Sequence, residues 1–219
     1  RDPKLLDGAG DVYHISGVAW RRKYNQIDRE NGKPVEEVFS ACAAAGLYSK
    51  QVYLEMGGFD EDYFSYQEDI DLGFRMRLAG FPCYYVPSAV VEHVGSSSTG
   101  VRSDFSVYYG HRNLVWTYFK NMPGWLLWAG IIPHVLMTIV FLAVFTLRGQ
   151  GKPIWKAKID ALLDLPDAWR KRQQIQKRRK VKSSEIWSII DKGWVRPFIL
   201  EYRSRNQPGS IQGGEYVDR

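Results

Sequence analysis

Six carboxylates, Asp60, Glu61, Asp62, Glu68, Asp69 and Asp71, fall within twelve residues of a chain whose net charge is +6. Like charges held this close repel, and the repulsion is tolerated where a cation, a helix N-terminus or a function compensates. Glu68 and Asp69 stand where a loop gives way to a helical pattern, with Ile70, Phe74 and Leu78 recurring at i, i+4 and i+8. At such a junction unpaired N–H groups and the helix dipole favour ionised carboxylates, while the neighbouring acids oppose ionisation. The balance describes a base available near neutral pH and projected from a fixed first turn. Spacing alone equally allows a helix cap followed by a solvated loop, because capping carboxylates are common.

The whole string decides between these. Gly57-Gly58-Phe59-Asp60-Glu61, then Phe64, then Glu68-Asp69-Ile70-Asp71-Leu72, Arg75 and Gly80 resembles the signature of family-2 glycosyltransferases, the inverting enzymes of the GT-A fold, and especially their rhamnosyltransferase-like bacterial members. The resemblance covers about Leu5 to Lys182. It implies that Asp69 is the base that deprotonates the acceptor hydroxyl for direct attack on the anomeric carbon, with Glu68 beside it as second candidate. It also implies a divalent metal, Mg²⁺ or Mn²⁺, on the donor diphosphate, with His93 standing where a histidine downstream of the helix completes such a site. A plain hydrogen-bonded histidine at the end of Val90-Val91-Glu92-His93 is the alternative. Asp60, Phe64, Asp71, His111 and Arg112 are the further substrate-binding candidates, the last two as partners of the diphosphate, since a guanidinium grips phosphate with two donors. The family's nucleotide-binding half, with its Asp-x-Asp-type motif, has no counterpart in this sequence. The expectation is the C-terminal part of an enzyme, inactive by itself, with the main metal ligands elsewhere.

The elements that must hold these residues follow from the punctuation. Asp11 to Trp20 reads as a strand leading into a surface loop, and Val38 to Tyr48 as a buried strand or close-packed turn. Ser49 reads as the N-cap of a short helix closed by Gly57-Gly58. The helix that starts near Glu68 ends at Gly80 before Pro82. Cys83 to Val86 and Ala89 to Val94 read as strands, and a helical stretch carries Tyr108, His111, Arg112, Asn113 and Trp116. With 45% apolar residues the chain can bury a core. Cys42 and Cys83 lack CxxC spacing and fit a reducing compartment. The chain opens on Arg1 without a signal-peptide pattern and looks cut from something longer.

Trp125 to Leu147 contains no Lys, Arg, Asp or Glu. As one helix it would measure about 34 Å, enough to cross a hydrocarbon core. Lys and Arg outnumber Asp by twelve to three from Arg148 to Lys182, which favours the cytosolic side, and a nucleotide-sugar enzyme before Pro123 needs that side too. One crossing cannot satisfy both. A break at Pro133 would leave helices of about 14 and 21 Å, so the expectation is a re-entrant or in-plane anchor, with the basic segment on anionic lipid. Nucleic-acid binding by the same cations is the less economical reading.

The fold class expected is α/β. Residues 1–121 form the C-terminal part of a GT-A, Rossmann-like catalytic domain, 122–148 a hydrophobic membrane-associated segment, 149–202 a basic amphipathic helical tail, and 203–219 a disordered end. The expected activity moves a sugar, rhamnose among the candidates, from a nucleotide-sugar donor to a cell-envelope polysaccharide or lipid-linked acceptor at the cytoplasmic face of the bacterial inner membrane. The rival is a noncatalytic basic membrane-binding or scaffold module whose acidic loop is structural.

Overall fold

The computed structural model describes residues 5–29, 32–93, 103–193 and 196. Two small antiparallel sheets come first: β1 (Asp11–Tyr13) pairs with β2 (Ala19–Arg21), and β3 (Glu36–Val38) pairs with β4 (Cys83–Tyr85). The backbone of Asp11 joins them, donating to Ser40 O and accepting from Phe39 N. Among the described residues there are eight α-helices, the first two between β3 and β4 and the rest after β4: α1 (Lys50–Glu55), α2 (Glu68–Leu78), α3 (Asp104–Asn121), α4 (Trp125–Ala129), α5 (Ile131–Phe145), α6 (Gly151–Leu163), α7 (Leu165–Lys177) and α8 (Ser183–Ile189). The expected strand over 89–94 does not form at 89–93, which has no regular structure; residue 94, like the end at 203–219, lies outside the described residues.

Helix α2 is the pivot. Its apolar stripe puts Phe74 edge-on to Tyr13 and Phe39 at 5.0 and 5.1 Å, and Ile70 and Leu78 extend the same core. Gly73 lets α2 reach the sheets, because a Cβ there would lie 2.4 Å from Ser40 Cβ. Arg75 and Arg77, instead of pointing to solvent, are buried. Arg75 donates to Met56 O, Gly58 O and Asp71, and Arg77 donates to Phe39 O, Val38 O and Glu37. Each guanidinium thereby staples a loop carbonyl that no strand satisfies. Gly80, at φ +89°, follows the helix end as expected.

The charge-free segment breaks at Gly130 and not at Pro133. A Cβ at Gly130 would lie 2.6 Å from Ile15 O, whereas Pro133 sits in the first turn of α5, where a missing N–H costs nothing. Gly149, at φ +81°, then reverses the chain. Helix α5 runs antiparallel to α3, with His134 stacked on Tyr118 at 4.2 Å and Phe141 and Phe145 against His111. Helix α6 returns parallel to α3, through Tyr108 to Asp160, Lys158 to His111 O and Trp116 to Ala161 O. The run 131–163 is long and apolar enough to cross a membrane by length and composition, but it is folded into a hairpin lying along α3. Helix α7 packs on α3 as well, and its basic residues are partly turned inward: Arg172 donates to Phe119 O and Met122 O, and Lys171 pairs with Asp60 and Asp62.

Candidate active site

Helix α2 opens on Gln67, a left-handed residue at φ +70°, and Glu68 and Asp69 form its first turn. Asp69 reaches across to the 3₁₀ turn Ala43–Ala45, where Oδ2 accepts from Ala43 N at 3.0 Å while Oδ1 accepts from Ile70 N at 2.8 Å. Each carboxylate oxygen has a second lone pair, so the group remains able to take a proton. Glu68 is half-buried, and its Oε2 is sealed from solvent without a partner. Burial raises its pKa, its own backbone N–H opposes the shift, and Asp69 adds to it.

A third carboxylate joins this pair. Asp11 is 3% exposed and accepts from Ser40 Oγ at 3.2 Å. Its pKa is pushed up to about 7, first by burial and then by the negative charge of Asp69, against the pull of Ser40 and Arg21. Cys42 and Tyr48 are likewise shifted upward by burial, with Asp69 contributing. Sequence reasoning passed over Asp11; the one available signal was an acid among the β-formers Val12, Tyr13 and Ile15. Arg21 pairs with Asp7 at 2.5 Å, and Asp7 accepts a contact from His93 Nδ1 at 3.0 Å. His93 is thus tied through Asp7 and Arg21 to the margin of the carboxylate group. Among the described residues no three His, Cys, Asp or Glu side chains are placed to hold a metal ion.

The remaining candidates divide. Asp71 is 0% exposed and accepts from Lys120, Arg75, Tyr63 and Asn121; it anchors the interior and has no face left for substrate, contrary to expectation. Asp60 bridges Lys120 and Lys171. Burial alone would raise its pKa, but the two cations outweigh that and hold it at about 2. Asp60 joins the acidic loop to α3 and α7, and Asp71 joins α2 to α3 and to Tyr63 of that loop. His111 is also not at a phosphate site: its ring lies between Phe141 and Phe145, Nδ1 is sealed and unpaired, and burial holds its pKa well below the usual imidazole range. Neighbouring residues on a helix point about 100° apart, so with His111 inside, Arg112 faces out. Arg112 lies 4.1 Å over Trp116 and donates to Asp62 O and Tyr63 O. Phe64 stands 74% exposed beside it. A cavity of about 350 Å³ between the Met56–Glu61 segment, Arg75, Lys120 and α7 includes neither Glu68 nor Asp69 in its lining.

Residues 21–120 match the family described as glycosyltransferase-like family 2. Over 130 residues the chain is 36% identical to the N-acetylglucosaminyl-diphospho-decaprenol L-rhamnosyltransferase of Mycobacterium tuberculosis, in both strain CDC 1551 / Oshkosh and strain ATCC 25618 / H37Rv, covering 56% of this chain and 40% of the relative. Over residues 21–120 the chain resembles glycosyltransferase family 2. Rhamnosyltransferase WbbL of Escherichia coli K12 is 50% identical over 66 residues, 27% of this chain and 25% of that protein. No solved structure matches. The family-2 segment is rhamnosyltransferase-like and implies the GT-A fold, and the chain spans about 40% of the length of the mycobacterial relatives. The segment contains α2, its carboxylates and most of α3.

Proposed function

We propose that this chain is the acceptor-side portion of an inverting glycosyltransferase that moves a sugar, rhamnose first among candidates, from a nucleotide-sugar donor to a cell-envelope polysaccharide or lipid-linked acceptor. The observation that carries the reading is Asp69, held at the first turn of α2 by Ala43 N and Ile70 N, with a free lone pair on each oxygen. Asp69 takes the proton of the acceptor hydroxyl, the oxygen forms its bond to the anomeric carbon, and the nucleoside diphosphate leaves from the opposite face. Asp11 and Glu68 are both shifted toward their neutral forms by burial. A divalent ion on the donor diphosphate remains an expectation of the family, with His93 as one candidate ligand beside Asp7.

Support for a membrane partner comes from the outer face of the α5–α6 hairpin. Trp128, Ile132, Val135, Leu136 and Ile139 form one exposed stripe, and Trp155, Ile159, Leu162 and Leu163 form another. Lys152 and Lys156 are exposed on the same helix, α6. That arrangement suits in-plane docking on an anionic leaflet, with the catalytic segment in the cytosol. The rival scaffold reading predicts no chemistry at all.

The test is the product of the full-length protein incubated with nucleotide sugar and a lipid-linked acceptor. Proton NMR of the new glycosidic bond should show the anomeric configuration opposite to that of the donor; a retained configuration, or no transfer, contradicts the reading. The isolated 219 residues are expected to transfer no sugar in the same assay.

A further inference from the structure

The chain enters α2 through backbone that side chains avoid. Phe64 lies at φ +60°, ψ −50°, and Ser65 N donates to Tyr63 O at 2.7 Å across it, which makes a γ-turn of the rare positive-φ kind. Tyr66 and Gln67 follow at φ +66° and +70°. None of the three is glycine, so the conformation must be imposed from outside. The imposing group is Asn113, fully buried on α3, whose amide nitrogen lies 2.9, 2.8 and 2.8 Å from the carbonyls of Tyr63, Ser65 and Tyr66. Arg112 Nε donates to Asn113 Oδ1 at 2.9 Å, which fixes which end of the amide faces the loop.

All this holds a phenyl ring out of the core. The ring of Phe64 meets Tyr109 at 5.2 Å and Phe105 at 6.2 Å, and Phe105 meets Tyr109 at 4.7 Å. Phe105 and Tyr109 are one turn apart on α3, so the three form a single aromatic surface. A cation borders it: the Arg112 guanidinium lies 4.9 Å over the Tyr109 ring. Asp69 is five steps along the chain from Phe64, which limits their distance to about 17 Å even in extended chain; a sugar with its neighbouring group spans such a gap.

We propose that Phe64, Phe105 and Tyr109 are the acceptor subsite and stack on the C–H face of the acceptor's sugar ring, with Asn113 as the positioning residue that holds Phe64 in place. The proposal rests on the glycosyltransferase reading and adds the recognition of its acceptor. A pyranose has an apolar C–H face and a hydroxyl edge, which matches the exposed Phe64 ring backed by two tilted aromatics and bordered by a guanidinium and a phenol. An acyl chain would be better served by the charge-free stripe of α4 and α5, which has no such border.

The test uses the full-length protein, nucleotide sugar, and N-acetylglucosaminyl diphosphate on a short prenyl chain as the probe. Phe64→Gly deletes the ring at a backbone conformation that glycine prefers, so a melting scan should show the fold kept. Its acceptor KM should rise about tenfold, with the donor KM unmoved, and Phe64→Trp should restore acceptor binding. Saturation-transfer NMR should pass magnetisation from the protein's aromatic protons to the ring protons of the probe's sugar, and weakly in Phe64→Gly. An unchanged acceptor KM in Phe64→Gly, or transfer confined to the prenyl protons, overturns the subsite while leaving the enzyme reading standing. Absence of sugar transfer by the wild-type protein would overturn the enzyme reading itself, and the subsite with it.

Discussion

Asp11 and Asp60 respond to pH with opposite sign. The Asp11 carboxyl titrates at about 7 in the fold and near 3.8 in the unfolded chain, so between those values the folded state binds the extra proton and stability falls as pH rises. Asp60, held at about 2, contributes stability above pH 4 that is lost as pH falls through 2. We expect Asp11→Asn to flatten the decline of stability between pH 4 and 7 by up to a few kcal/mol, read from urea midpoints across that range. A decline unchanged in the variant would show that Asp11 is not the titrating group. The placement of the acids was legible where neighbours in sequence share one turn: Glu68 and Asp69 sit between a glycine pair and a clear apolar stripe, and open α2 as expected. Placement was illegible where partners are distant. Asp11 meets Asp69 only through folding, and Asn113 binds carbonyls about fifty residues upstream, an interaction that leaves no pattern in side-chain types.

At the scale of elements, α2 is held by close approach on one side and by the Asn113 clamp on the other. Gly73→Ala would bring a Cβ within 2.4 Å of Ser40 Cβ. Since Ser40 also bonds Asp11, the shift should cost about 1–3 kcal/mol and lower activity, visible as a lower Tm together with a lower kcat/KM. Asn113→Asp replaces the donors that face three carbonyls with an acceptor and should cost about 1–3 kcal/mol by urea denaturation. Phe64, Tyr66 and Gln67, each strained by roughly 1–3 kcal/mol, would then be released. Helix α2 and its end at Gly80 follow from periodicity and turn chemistry. The break at Gly130 does not, because it is set by the approach of Ile15 O and the Tyr118 hydroxyl, whereas Pro133 is accommodated in a first turn. His134, within that segment, is buried and donates from Nδ1 to Ser16 O at 2.8 Å.

Across the whole molecule, α3 is the shared wall: acidic loop and α2 on one side, the α5–α6 hairpin and α7 on the other. A chain-crossing helix would have to leave α3, whereas the hairpin keeps its inner residues on α3 and turns Trp128, Ile132 and Ile139 outward. Trp128→Glu combined with Ile132→Glu should abolish co-sedimentation with anionic vesicles while leaving Tm nearly unchanged, since both side chains are already in water; binding that survives the double change would place the lipid contact elsewhere. The composition shift at Pro123 announced this layer in the sequence. That it folds back along α3 depends on Gly149 and on apolar residues of α3, and no local pattern states it. The account as a whole depends on Asp69 being the base. Its most direct measurement is the rate of sugar transfer by full-length Asp69→Asn beside the wild type, with folding checked by its thermal transition: a fall of about 10²–10⁴-fold is predicted, and a rate within a few-fold of wild type would contradict it.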